Sequence, residues 1–261
     1  MFNPQGFDLT VLDEIIERYD YKHDPILSRH FRPIEAKLLQ RIERYGEGVN
    51  DYGQDLSAHL RRTSHDGAEF MANALGFSAR AARNFHAANL LQDLGKTHDS
   101  YDPVLWSLPH SPTPQERAEK RRHTQYGPAI LAEALQGAAP ELLNHPHVNI
   151  VIPAIQFFHH ERNDGKGPFA LAGDQLGSLI KMTAIVDTKD GDMHPRAHRQ
   201  DGGRTEIDAL LRMKGLPEHD PAAKYAGAFD DMLDRYIEHR GYGAALYRPR
   251  QKPLAGTYRL G

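Results

Sequence analysis

Apolar residues return at three- and four-residue spacing along almost the whole of this chain, as in Leu9 to Arg18, Ile34 to Tyr45, Ala68 to Phe77 and the alanine-rich stretch Ala79 to Leu94. That spacing lays one apolar stripe along an α-helix, and a chain so patterned buries its stripes helix against helix. The same pattern predicts helices around Gln125 to Leu135, Ile150 to His160, Leu176 to Asp187, Glu206 to Met213 and Ala222 to His239. No alternating run flanked by turn residues points to a large sheet. The expected fold class is all-α, a helical bundle.

Breakers divide the pattern. Gly46-Glu47-Gly48-Val49-Asn50 separates residues 1–50, an N-terminal helical extension, from a main domain over 51–237. Asp102-Pro103, Pro109, Pro112 and Pro114 make Thr97 to Thr113 an expected exposed connection. Residues 238–261 read as a basic tail containing Arg248-Pro249-Arg250-Gln251-Lys252-Pro253. The extension and the tail are the segments expected to engage a protein partner. No apolar run reaches the roughly 20 residues of a membrane span, and no basic and hydrophobic leader follows Met1, so a cytoplasmic chain without membrane contact is expected. A net charge of −3 over 261 residues fits no bulk binder of polymeric nucleic acid.

The chain has no cysteine but 16 histidines. Disulfides, iron–sulfur clusters and a cysteine nucleophile are excluded together, and any transition-metal site must combine His with Asp or Glu. The segment His159-His160-Glu161-Arg162-Asn163-Asp164-Gly165-Lys166-Gly167-Pro168 concentrates such groups beside a glycine-rich basic loop. Neighbouring side chains on a helix point about 100° apart, so two adjacent imidazoles serve one centre best where a helix ends. Phe157-Phe158 before the pair and the Gly and Pro residues after it place them at such an end. Asp55, His59, Asp93, Lys96, His123 and Asp187 also fall near expected helix ends, as metal ligands gathered from successive helices of a bundle do.

Taken in order, His59, Gln92-Asp93-Leu94-Gly95-Lys96, His123-Thr124-Gln125-Tyr126-Gly127-Pro128, the His159 segment, and Asp187-Thr188-Lys189-Asp190 with Arg196-Ala197-His198-Arg199 resemble the HD-GYP family. These are bacterial metal-dependent phosphohydrolases of the HD superfamily, many of which hydrolyse cyclic di-GMP. The resemblance covers about residues 51 to 236 and implies the helical bundle of that superfamily. It implies that His59, Asp93 and Asp187 hold one divalent ion, with Asp93 bridging to a second held by His123, His159 and His160. Asp55, one turn before His59, stands where some members hold a third ion, and Gln92 is a further candidate ligand. The implied ions are iron or manganese, two in number, with one or three as alternatives. Asp93 and Lys96 are the implied catalytic residues. Lys96, Arg196 and Arg199 match residues that contact substrate phosphate, and Lys166 is a further cation available to it.

The implied activity is hydrolysis of a cyclic dinucleotide, cyclic di-GMP or a related nucleotide, by attack of a metal-bound hydroxide. Cations placed around the phosphate do this work without a protein nucleophile. The alternative is a degenerate domain that binds a nucleotide or a protein and turns over little. Two departures carry it: Gln92 stands for the histidine of the His-Asp pair, and Gly167-Pro168 lack the intervening tyrosine of the signature. An amide oxygen is a poorer donor to a transition ion than imidazole nitrogen, so the first site is expected to bind more weakly than the second. A diiron oxygenase of the same superfamily ranks below both, because it too needs the histidine that Gln92 replaces.

Overall fold

The computed structural model describes residues 3–47, 52–106, 108, 110–194, 203–215 and 227–246. The helices are α1 (Leu12–Ile15), α2 (Arg32–Glu43), α3 (Tyr52–Phe70), α4 (Ala79–Asn89), α5 (Pro114–Arg121), α6 (His123–Ala134), α7 (Pro140–Leu143), α8 (Ile152–Phe158), α9 (Ser178–Met193), α10 (Glu206–Met213), α11 (Asp230–His239) and α12 (Gly243–Leu246). Shorter 3₁₀ and π turns join them. No strand occurs among the described residues, only an isolated bridge between Asp164 and Ala172. The chain is all-α, as its periodicity requires.

Three elements differ from the periodic reading. The 19-residue α3 runs into the stretch Ala68 to Phe77, whose first three residues end the helix and whose next five form the π turn Met71–Leu75, closed by left-handed Gly76 at φ 80°. Its buried face carries Leu56, His59, Leu60, Thr63, Ser64, Gly67 and Phe70, and the polar members of that row hide the helix from an apolar count. The run Ala79 to Leu94 stops at Asn89, where the chain turns through residues 90–93 into the 3₁₀ turn Leu94–Thr97. The proline-rich connection is not wholly exposed either: Tyr101, Leu105 and Leu108 form a small buried cluster against Tyr126, and Thr113 with Glu116 makes the capping box that starts α5.

One core joins the two sides of the glycine-rich break at residues 46–50. Leu9, Leu12, Ile16, Leu27, Phe31 and Ile42 belong to the same buried cluster as Phe70, Phe85, Phe158 and Ile185. Polar contacts fix the attachment. Asp13 accepts the N–H groups of Ser178 and Leu179, each at 3.0 Å, and so caps the start of α9. Buried Asn84 donates to the carbonyls of Ile16 and Tyr19 and accepts from Tyr21 N–H, all at 2.8 Å. Arg41 on α2 donates to Thr97 Oγ1 at 2.9 Å and to Thr97 O at 2.8 Å. Residues 3–47 thus hold the start of α9, the middle of α4 and the turn after Asp93. No helix of the described residues is long and apolar enough to cross a membrane. Residues 247–261, most of the basic tail, lie outside the described residues.

Candidate metal centre

Five elements bring their polar residues to one place. His59 comes from the middle of α3, Gln92 and Asp93 from the turn after α4, His123 from the first residue of α6, His159 and His160 from the end of α8, and Asp187 from α9. Two of these elements meet closely because of Gly95. A Cβ on that residue would lie 1.9 Å from the carbonyl oxygen of His123 and 2.5 Å from the backbone nitrogen of Gly127. Only glycine permits this approach, and the approach sets Asp93 beside His123.

The first group is built from three imidazoles. His123 Nε2 lies 3.1 Å from His159 Nε2 and 3.2 Å from His160 Nε2. The far nitrogens of two of these rings are already committed: His123 Nδ1 faces the carbonyl of Lys120, and His159 Nδ1 lies 3.0 Å from Ile155 O and 3.1 Å from Gln156 O. A nitrogen facing a carbonyl oxygen must carry the proton, so the Nε2 atoms of His123 and His159 present lone pairs to each other. Asp93 Oδ1 lies 3.1 Å from His123 Nε2 and 3.5 Å from His159 Nε2, yet it is buried and without a hydrogen-bond donor. Converging lone pairs around an orphaned carboxylate oxygen fit a cation, and backbone carbonyls behind the rings fix them for that purpose.

The second group is His59, Asp93 and Asp187. His59 Nε2 lies 3.1 Å from Asp187 Oδ1 and 3.5 Å from Asp93 Oδ2. In each group the candidate ligand atoms lie within 4.8 Å of one another. Asp93, fully buried, faces both groups with its two oxygens, and His160 Nδ1 reaches to 3.7 Å from Asp187 Oδ2. Gln92 Nε2 donates to Asp187 Oδ1 at 3.2 Å and lies 3.5 Å from His59 Nε2.

Charge separates the groups. Burial keeps His123 below its ordinary pKa despite Asp93, and burial with the neighbouring His159 pushes His160 well below it. Both are neutral bases, the form that donates to metals. Burial also works against the charge on His59, but hydrogen bonds to Asp187, Asp190 and Asp93 outweigh it and hold its pKa up to about 10. Burial likewise disfavours the Asp93 carboxylate. The Lys96 ammonium leads the groups that overcome this and hold it well below the usual range. The second group is thus a nest of carboxylates balanced by the His59 imidazolium and the Lys96 ammonium.

The other residues singled out in the sequence fall in several places. Lys96, almost buried, forms an ion pair with Asp93 Oδ2, one helical turn away. Asp55 is exposed on α3 and outside both groups. Lys166 has a side chain 75% exposed, with its ammonium 3.7 Å from Asp164 Oδ2. Arg196 and Arg199 lie outside the described residues.

Two supporting residues had no role assigned from the sequence. Asp190 Oδ2 lies 2.7 Å from His59 Nδ1, and Arg62 holds the same carboxylate from Nε at 2.7 Å. Each stands three residues after a ligand, Asp190 after Asp187 and Arg62 after His59, and that spacing on one helix face was the available signal. Glu161, next to the histidine pair, is a loop anchor. Its carboxylate accepts N–H groups from Phe169 at 2.7 Å and Leu171 at 3.0 Å, while burial pushes its pKa up.

No protein-family model matches the chain. A cyclic di-GMP phosphodiesterase of Pseudomonas aeruginosa is 30% identical over 166 residues, 63% of this chain and 34% of that protein. A probable cyclic di-GMP phosphodiesterase of Vibrio cholerae is 30% identical over 172 residues, 62% of this chain and 37% of that protein. The chain therefore spans about a third of the length of these relatives. Among solved structures, an HDG"Y"P protein of Bdellovibrio bacteriovorus matches 94% of this chain and 74% of that one, with a TM-score of 0.52 at 15% identity. The fold is an HD-domain fold. At that identity the likeness concerns the backbone alone, and the chemistry rests on the two ligand groups.

Proposed function

We propose that this chain is a metal-dependent phosphodiesterase of HD-GYP type acting on a cyclic dinucleotide, with cyclic di-GMP the first candidate. The observation that carries the reading is the pair of ligand groups sharing Asp93: three imidazole nitrogens on one side, and His59 with Asp187 on the other. The names of the Pseudomonas and Vibrio relatives support the choice of substrate. We assign two divalent ions, iron or manganese, to His123, His159, His160 and Asp93 and to His59, Asp187 and Asp93. Bound there, two such ions would neutralise phosphate oxygens and lower the pKa of a water so that hydroxide is available near neutral pH.

The chain's own residues position and balance that chemistry. Asp190, clamped by Arg62, orients the His59 ring and keeps its Nε2 toward Asp93 and Asp187. Lys96 brings a positive charge to the carboxylate shared by both groups, and we assign it contact with a phosphate oxygen. Arg196 and Arg199 are proposed as further phosphate contacts, with Lys166 as an outer cation on the loop. Asp55 is a candidate for a third ion.

One observation favours a second reading, a nucleotide-binding module with little turnover: Gln92 turns an amide N–H toward Asp187 where the family places an imidazole. A single experiment separates the two. The full chain supplied with Mn²⁺ or Fe²⁺ is expected to hydrolyse bis-p-nitrophenyl phosphate and to convert cyclic di-GMP to a linear product, both followed by chromatography. Calorimetric binding of cyclic di-GMP without turnover selects the module. Neither binding nor turnover overturns both readings.

A further inference from the structure

The two ligand groups offer different donor atoms, and Gln92 makes the difference. One group presents three imidazole nitrogens and Asp93 Oδ1. The other presents a single imidazole nitrogen, from His59, with oxygens of Asp93 and Asp187 and the amide of Gln92. Gln92 is fully buried, its Nε2 is 3.2 Å from Asp187 Oδ1 and 3.5 Å from His59 Nε2, and its Oε1 has no hydrogen-bond partner. A buried carbonyl oxygen without a donor is costly, and no neighbouring side chain relieves it. Turning the carboxamide over exchanges its two ends and carries the oxygen to nearly the place where Nε2 stands, facing the same two ligands. As the group stands, the N–H end serves Asp187. With a divalent ion in the group, the oxygen end gains a partner.

We propose that Gln92 turns this group into an oxygen-rich site, one nitrogen against three oxygens, so that the chain holds two unlike ions. A hard ion of the manganese or magnesium class sits beside Gln92, and a nitrogen-preferring ion of the zinc or iron class sits among the three histidines. The inference rests on the metal centre proposed above and deepens it. Carboxylate and amide oxygens suit magnesium and manganese, whereas imidazole suits zinc and iron. Zinc outbinds manganese at any one site of this kind, so the deciding quantity is the difference between the groups. Exchanging imidazole for an amide oxygen takes more from zinc than from manganese. The carboxylates of Asp93, Asp187 and Asp190, within 3.5, 3.1 and 2.7 Å of the His59 ring nitrogens, add the negative charge that a hard cation requires.

The test loads chelator-stripped full-length protein with one equivalent of Zn²⁺ and an excess of Mn²⁺, then removes unbound ions. Elemental analysis is expected to find one zinc and one manganese per chain. Pulsed electron paramagnetic resonance is expected to show the Mn²⁺ coupled to the nitrogen of a single imidazole. Gln92→His should add a second coupled imidazole, and a second equivalent of Zn²⁺ should displace the manganese from that variant more readily than from the unaltered chain. Gln92→Ala should weaken Mn²⁺ by about tenfold or more with zinc retained, and Gln92→Glu, which keeps the shape and adds charge, should tighten it. Manganese coupled to several imidazoles, or unchanged Mn²⁺ affinity in both Gln92→Ala and Gln92→Glu, overturns the inference. Hydrolysis of cyclic di-GMP is scored separately. Two unlike ions without turnover or nucleotide binding sink the phosphodiesterase reading alone, two like ions with turnover sink this inference alone, and a chain that binds no ion sinks both.

Discussion

Helix α9 carries two buried polar clusters, and they are wired in opposite ways. Asp187 and Asp190 turn toward His59, while Lys189 between them turns toward Asp66 at 2.5 Å and Glu206 at 3.0 Å. In the Lys189 cluster each charge meets its opposite: Arg240 Nε lies 3.0 Å from Glu206, Tyr242 donates to Glu206 at 3.1 Å, and Tyr236 donates to Asp66. In the metal centre, imidazole lone pairs converge on one another and on an oxygen of Asp93 that has no donor. Burial, charge and a carboxylate oxygen without a hydrogen-bond donor, Asp66 Oδ1 in the Lys189 cluster, are common to both. What marks the functional cluster is that its groups of like polarity point at a shared space, an arrangement that only an added cation completes.

The comparison breaks most sharply at Asp93. Asp93→Ala removes a ligand from both groups at once, so affinity for both ions should fall by well over the ~100-fold that loss of a supporting residue costs. Phosphodiesterase activity should vanish with it, as metal analysis and a bis-p-nitrophenyl phosphate assay would show. Full metal content in this variant would mean that the two groups are no more than a hydrogen-bonded structural cluster. The reciprocal change is Lys189→Met, which takes the nearest cation from Asp66 and leaves Glu206 with Arg240 alone. Breaking a buried pair costs about 3–5 kcal/mol and Arg240 offsets part of this, so urea denaturation should show a loss below about 3 kcal/mol while the ions still bind with unchanged affinity. Asp190→Asn tests the junction of the two clusters. It should lower metal affinity at the His59 group by about 10–100-fold and leave the three-histidine group as it was. An equal loss at both groups would mean that Asp190 supports the helix rather than the ligand.

How far this contrast can be read from the amino-acid sequence depends on what each residue faces. The all-α class follows from apolar periodicity, because most helices bury ordinary Leu, Ile, Val and Phe. Helix α3 escapes that signal because its buried face holds His59, Thr63, Ser64 and Gly67, so the helix that brings the first ligand is the one least visible as a helix. Ligand candidates show through their types and order, since a chain without cysteine has only His, Asp and Glu to offer. Their partners show less well: Asp190 and Arg62 are ordinary helix-surface residues until α3 and α9 are placed side by side. Glu161 stands beside two histidines in the sequence, yet its carboxylate faces the loop amides of Phe169 and Leu171. Direction of a side chain off a helix end is decided by tertiary contacts that local spacing does not contain. The division at residue 50 shows the same limit, since the glycine-rich break is visible in the sequence and the shared core across it is not.

A buried histidine outside both clusters, His147, offers the finest test, because it is as deeply buried as His123 and His159. His147 lies with Nδ1 2.8 Å from the Tyr19 hydroxyl and its Nε2 without a partner, among the rings of Tyr19, Tyr21 and Phe31. Burial, with the nearby charge of His145, pushes its pKa down to about 3. A histidine depressed in this way is neutral when folded and takes up a proton more readily when unfolded, near pH 6.5. Its contribution to stability is therefore complete above pH 6.5 and is lost progressively as pH falls toward 3. Between pH 7.5 and 5.5 this one group should destabilise the fold by about 1.4 kcal/mol. Urea denaturation of the metal-free chain at those two pH values should show that loss in excess of the loss seen in His147→Gln, which cannot take up the proton. The ligand histidines titrate alike in both proteins and cancel in the comparison. Equal pH dependence in the two would mean that the ring is solvated or protonated in the folded chain, and burial would then fail as the property that the metal ligands and this structural histidine share.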